Sequence, residues 1–246
     1  MLKDKIVLVT GGAIGIGYAT IKRFASENCK VVINYNTSRN EAYKLQEEVT
    51  KMGVESLVIK ADITKQDEVD KMINEILQEF SRIDVLVNNA AIALDTLFSD
   101  KTVDNFKKTI DTNLIAPFYL SKKVGELMYK QQEGVIINIS STNGIDKYYP
   151  MSIDYDASKA ALISLTHNLS FQFAPFIRVN CVAPGFIATE NEIKDLDEEF
   201  IKSEEEKIFV KRLGEASEVA NVIVFLASDE ASYINNAVIR VDGGTY

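Results

Sequence analysis

The sequence predicts an α/β fold, a doubly wound parallel β-sheet of about seven strands with helices on both faces. Three observations lead there. Short runs of Val, Ile and Leu alternate with longer segments of helical periodicity almost to the end of the chain. Each run is nearly continuous in apolar side chains, as strands covered on both faces require. The first run ends in a glycine-rich turn that opens straight into a helical pattern, the Rossmann-type arrangement.

In chain order the strands read I-V-L-V (6–9), V-V-I-N (31–34), S-L-V-I (56–59), V-L-V-N (85–88), V-I-I-N-I (135–139) and I-R-V-N-C-V (177–182). Helical spacing fills the gaps, as at 41–52 and 66–80. In the second of these Val69, Ile73, Ile76, Leu77 and Phe80 share one face. Parallel strands joined this way need right-handed crossovers. With only four prolines and no Ser/Gly-rich linker, residues 1–246 read as a single domain. One segment stands apart: residues 190–206 carry nine acids against Lys194 and Lys202. It reads as a solvated helical excursion, or as a substrate lid at about 186–212, since it follows the V-A-P-G-F turn.

Composition narrows the function. Charged residues are 26% and hydrophobic residues 46% of the 246, which excludes a disordered chain. A chain of this size buries roughly three quarters of its unfolded surface and needs no staple. Lys+Arg number 27 and Asp+Glu 36, a net charge of −9, so nucleic acid is not an expected partner. Cys29 and Cys181 match no metal or redox spacing and read as small buried hydrophobes. The one histidine, His167, sits mid-helix, and no G-x-S-x-G elbow accompanies it, so neither a His-based hydrolase nor a metal site is expected. No apolar run approaches the ~20 residues of a membrane span. No signal-peptide pattern is present either, and the expected location is the cytoplasm.

The turn is T-G-G-A-I-G-I-G, Thr10 to Gly17. Its glycines let the backbone turn tightly and approach a pyrophosphate, which the following helix N-terminus then faces with free N–H groups. The spacing T-G-x-x-x-G-x-G is that of the short-chain dehydrogenase/reductase family, which the chain resembles over its full length. Further motifs carry the resemblance: Asp62-Ile63, Asn88-Asn89-Ala90-Ala91, Asn113 in D-T-N-L, I-N-I-S-S (137–141), Y-D-A-S-K (155–159), V-A-P-G-F-I-A-T (182–189) and the tail V-I-R-V-D-G-G.

Tyr155 and Lys159 lie one helical turn apart on the same face. A cation ~5 Å from a phenol, at an effective dielectric of ~20, lowers its pKa by about two units. The resemblance implies the rest. Tyr155 is the general acid/base, Ser141 hydrogen-bonds the substrate oxygen, Lys159 tunes the tyrosine and holds ribose, and Asn113 holds a water that feeds Lys159. Ser140 is the fallback for Ser141, because the spacing from Ser141 to Tyr155 is one residue longer than usual. Thr10, Gly11, Ile14, Gly15, Ile16, Gly17, Tyr35, Ser38, Arg39, Asp62, Ile63, Asn89, Ala90, Pro184, Gly185, Ile187 and Thr189 join Tyr155 and Lys159 as implied cofactor contacts. Ala91 and Asn236 stand where the family commonly has glycine.

Tyr35 occupies the place of the acid that NAD-preferring members carry, which favours NADP(H) over NAD(H), with Ser38 and Arg39 toward the 2′-phosphate. Ile14, where NADP users often place a base, argues the other way. A-P-G-F-I-A-T-E and K-R-L-G-E-A-S-E-V-A resemble the family's 3-oxoacyl-[acyl-carrier-protein] reductases and are shared with its sugar and polyol dehydrogenases. The expectation is a reductase of 3-oxoacyl thioesters, with a sugar or polyol dehydrogenase or general ketone reductase as alternative. A non-catalytic dinucleotide-binding sensor or scaffold is the third reading. Gln132 and Phe171 replace arginines common in carrier-protein reductases. The resemblance also implies a homotetramer or homodimer built on long helices over 103–130 and 155–173.

Overall fold

The structure, a computed structural model, describes residues 2–189, 193 and 196–245. Its strands are β1 (Ile6–Val9), β2 (Lys30–Tyr35), β3 (Ser56–Lys60), β4 (Val85–Asn88), β5 (Gly134–Ile139), β6 (Ile177–Pro184) and β7 (Val238–Val241). They form one parallel sheet in the order β3-β2-β1-β4-β5-β6-β7. The helices are α1 (Gly15–Ser26), α2 (Arg39–Lys51), α3 (Gln66–Phe80), α4 (Val103–Ile110), α5 (Ala116–Gln131), α6 (Ile153–Gln172), α7 (Glu198–Lys207) and α8 (Ala216–Ala227).

Alternation along each strand divides the core in two. Val7 and Val9 of β1 pack with Ile21 and Phe24 of α1, Leu45 of α2 and Ile223 of α8. Ile6 and Leu8 point the other way, toward Met72 and Ile76 of α3 and Leu120, Val124 and Met128 of α5. Both faces of the strands are therefore covered, which explains their continuous apolar composition. Each fully buried Leu or Ile contributes about 1.5–3 kcal/mol. The strand order reverses between β1 and β4, and a crevice opens there beyond the carboxyl ends of the strands.

The helix expected over 103–130 is broken. A wide π turn, Asp111–Ile115, separates α4 from α5. Pro117 stands in the first turn of α5 and has no N–H to give to the Asn113 carbonyl four residues back. The second long helix starts at Ile153, two residues before the expected position, and ends at Gln172.

The acidic segment leaves and rejoins the body at one point. Ile187 bridges Gly214, Ala188 donates to the Gly214 carbonyl at 2.8 Å, and Gly214 donates to that of Phe186 at 3.0 Å. Between these ends α7 buries none of its residues. Glu190, Glu192, Lys194 and Asp195 of the expected lid lie outside the described residues. No helix among the described residues is long and apolar enough to cross a membrane.

Candidate active site

The glycine turn sits at the carboxyl end of β1. Gly11 (φ +59°) and Gly15 (φ +54°) occupy the left-handed region, and a Cβ at Gly17 would lie 2.2 Å from the Gly11 carbonyl. Asn89, just past β4, donates its amide to the carbonyls of Thr10 (2.9 Å) and Gly11 (3.1 Å). The Thr10 hydroxyl in turn accepts from the N–H groups of Asn89 (3.0 Å) and Ala90 (3.1 Å). The turn is thus held by β4 rather than by its own residues. Asn34, which the sequence reading passed over, adds a third tie: its carbonyl accepts from Gly12 at 2.9 Å and its amide donates to Ala61 at 3.1 Å. Ile14 caps α1 without a side-chain hydrogen bond, and the first turn carries no acid. Its N–H groups are left facing an anion site.

A cavity of about 1010 Å³ runs from this turn along the strand ends. Gly11, Ile14, Gly15, Ile16, Tyr35, Ser38, Asp62, Ile63, Asn89 and Ala90 line its outer part; Ser141, Tyr155, Lys159, Pro184, Gly185, Ile187 and Thr189 line the inner part. Uncapped helix N–H groups, left-handed glycines and a cavity of this volume fit a dinucleotide. Thr10 and Gly17 support the turn from behind without lining the cavity. Arg39 is not among the lining residues; its guanidinium stacks over the Tyr43 ring at 5.6 Å, one turn further along α2. Lys65, at the start of α3, lines the cavity instead. Ala91 avoids the left-handed region, whereas Asn236 adopts it at φ +65°.

At the inner end, Lys159 is 2% exposed and donates to the Ile139 carbonyl at 2.7 Å, with its Nζ 5.3 Å from the centre of the Tyr155 ring. Burial lowers its pKa from 10.5 to about 8. The Ser140 hydroxyl is spent on the Lys159 carbonyl at 2.8 Å. That of Ser141 accepts the Asn143 N–H at 3.2 Å, and both serines belong to the cavity wall; the hydroxyl not committed to the Lys159 carbonyl is that of Ser141. Gly144 lets this turn approach α6: a Cβ there would lie 2.6 Å from the Lys159 backbone. Asn113 is buried and off the cavity wall. Its amide spans the N–H and carbonyl of Ile92, both at 2.9 Å, and donates to the Ser158 hydroxyl at 3.1 Å. The Asn113 main-chain carbonyl is the one that Pro117 leaves without an α-helical donor. His167 lies exposed on α6, bonded to Asn236 and away from the cavity. Both cysteines are buried, and burial pushes the thiol pKa of Cys29 to about 12 and of Cys181 to about 11. Among the described residues no cluster of His, Cys, Asp and Glu suits a metal ion.

A family model described as enoyl-(acyl carrier protein) reductase matches residues 11–246. A 3-oxoacyl-[acyl-carrier-protein] reductase of Staphylococcus epidermidis is 40% identical over 247 residues, covering 99% of this chain and 99% of that protein. One from Synechocystis is 41% identical over 245 residues, 99% of this chain and 97% of its own length. The chain belongs to the short-chain dehydrogenase/reductase family. A solved structure of a doubly substituted Serratia marcescens short-chain dehydrogenase/reductase superposes with a TM-score of 0.93 at 30% identity, covering 99% of this chain and 98% of that one. Like other short-chain dehydrogenases/reductases, the protein is an oxidoreductase that interconverts a secondary alcohol and a carbonyl with a nicotinamide dinucleotide.

Proposed function

We propose that the protein reduces 3-oxoacyl thioesters with NADPH. The observation that carries this reading is that Tyr155, Lys159 and Ser141 line the same cavity as an uncapped glycine turn. Tyr155 gives its phenolic proton to the substrate oxygen. Ser141 hydrogen-bonds the same oxygen and stabilises the charge developing there. Lys159 favours the ionised phenol across the 5.3 Å separating its Nζ from the ring. Asn113 restores the proton through a water on its main-chain carbonyl. The bound dinucleotide supplies the hydride. Tyr155→Phe removes the proton donor, so turnover should vanish while NADPH binding, followed by nucleotide fluorescence, persists; an active variant refutes the assignment.

NADP(H) is favoured because β2 ends in Tyr35 and offers no carboxylate to a ribose 2′-hydroxyl. Ser38 and Lys65 line the cavity near the end of β2, and Arg39 directly follows Ser38, which supports a site for the 2′-phosphate there. The relatives' printed activities favour acyl carrier protein as substrate carrier. The exposed acids of α7, with Gln132 and an 81% exposed Phe171 where basic residues would suit an acidic carrier, favour an uncharged sugar, polyol or ketone. Steady-state rates on acetoacetyl thioesters, 2-enoyl thioesters, ketones and polyols with both nucleotides separate these readings. Phe118, Tyr129 and Phe171 expose apolar surface on α5 and α6, which supports a homotetramer or homodimer. Light scattering of the purified protein checks this.

A further inference from the structure

The loop after β4 meets the start of α6 through buried charges that the chemistry above does not use. The Lys101 side chain, 4% exposed, donates to one carboxylate oxygen of Asp154 at 2.8 Å and to the Leu94 carbonyl. The other oxygen of Asp154 accepts the Thr109 hydroxyl of α4 at 2.7 Å. Asp154 is fully buried and directly precedes Tyr155. Two outer ties run beside the pair: the Ser152 hydroxyl donates to Asp95, and the Thr96 N–H donates to the Met151 carbonyl at 3.2 Å. The loop's first residues, Ala91 and Ile92, line the cavity.

Burial opposes the charge on Asp154, yet the hydrogen bonds from Lys101 and Thr109 hold its pKa below the usual carboxylate range. The Asp154 carboxyl is therefore ionised at neutral pH. Stability alone is a weak account of it, because an apolar pair of similar volume does as well in a buried site. What an apolar pair lacks is direction. Carboxylate, ammonium and hydroxyl fix three segments in one relative placement, and one of those segments carries Tyr155.

We propose that Lys101 and Asp154 are positioning residues whose ion pair clamps the loop of residues 91–101, which enters from the cavity wall at Ala91 and Ile92, to the first turn of α6, setting Tyr155 against the bound carbonyl. This rests on Tyr155 being the proton donor. A displacement of ~1 Å at a reacting group can lower the rate about a hundredfold. The test is the double variant Lys101→Met/Asp154→Asn, which removes both charges and strands neither, assayed with acetoacetyl-CoA and NADPH. Its NADPH affinity and melting temperature should stay near the parent's, while kcat falls about tenfold and KM rises severalfold. Parent kinetics overturn the proposal, and so does a loss of rate that matches a loss of folded protein. Ser152→Ala cuts only an outer tie and should raise KM about threefold at unchanged kcat. If the double variant does not fold, a parent KM in Ser152→Ala overturns the clamp. Tyr155→Phe is run beside them: turnover there sinks the acid–base reading, whereas an inactive Tyr155→Phe beside unaltered clamp variants sinks only this inference.

Discussion

An ammonium at Lys159 loses nearly all of its water. The side chain is 2% exposed, one carbonyl accepts from it, and no carboxylate pairs with it among the described residues. The thiol of Cys181 on neighbouring β6 stays neutral, because burial pushes its pKa to about 11, and offers no counter-charge. The fall in the Lys159 pKa from 10.5 to about 8 corresponds to about 3 kcal/mol of folding free energy. The sign follows from proton binding. Between pH 8 and 10.5 the unfolded chain keeps the proton that the folded chain releases. Stability from this group therefore rises with pH across that window, and the full penalty stands below it. Lys159→Met should melt several degrees higher than the parent at pH 7, and most of that gap should be gone by pH 10, closing fully only above 10.5. Under the proposed mechanism, in which the ammonium serves the phenol and the ribose, the same variant should lose turnover. Melting curves of the cofactor-free proteins at the two pH values decide it; a variant that melts lower at pH 7 contradicts the argument.

At the scale of elements, the glycine turn works through its contact with the loop after β4. A Cβ at Gly17 would lie 2.2 Å from the Gly11 carbonyl and 2.7 Å from the Asn89 amide. Gly17→Ala should thus push α1 off the turn and break the Asn89 bonds that shape it. NADPH affinity, read by fluorescence titration, should fall at least tenfold, or about 1.4 kcal/mol; retained affinity would show that the cradle tolerates the shift. This turn was legible in the sequence because its chemistry is local: glycine spacing, the strand before it and the helix after it. The strands were legible for a related reason, as burial on both faces leaves an unbroken Val/Ile/Leu run. What the sequence hid is long-range. The bonds of Asn34 to the glycine turn and to Ala61 just past β3, the approach of Gly144 to α6, and the Lys101–Asp154 pair across 53 residues leave no local pattern. The stacking of Arg39 on the Tyr43 ring is equally silent in the sequence, because the two become neighbours only once α2 forms. The split helix rested on one legible signal, Pro117, which a reading of helical periodicity passed over.

Over the whole molecule the charge is −9, and the exposed Glu198, Glu199 and Glu206 with the half-buried Glu204 and Glu205 concentrate it on α7, beyond the Ile187–Gly214 bridge that closes the excursion beside the cavity wall. An acidic carrier protein approaching that side meets like charge, whereas a free pantetheine thioester carries none. Repulsion between exposed groups is screened over ~10 Å at 0.1 M salt and over ~30 Å at 0.01 M. Raising the ionic strength should therefore lower KM for a carrier-bound 3-oxoacyl substrate, chiefly through faster association, and leave KM for the pantetheine thioester where it was. Replacing Glu204, Glu205 and Glu206 together by Gln should lower the carrier-bound KM at low salt and flatten its salt dependence, because the three side chains act through the field and not through contact. A carrier-bound KM that rises with salt would mean that attraction dominates the encounter, and that a basic surface elsewhere on the molecule, such as Lys107 and Lys108 at the cavity wall, receives the carrier.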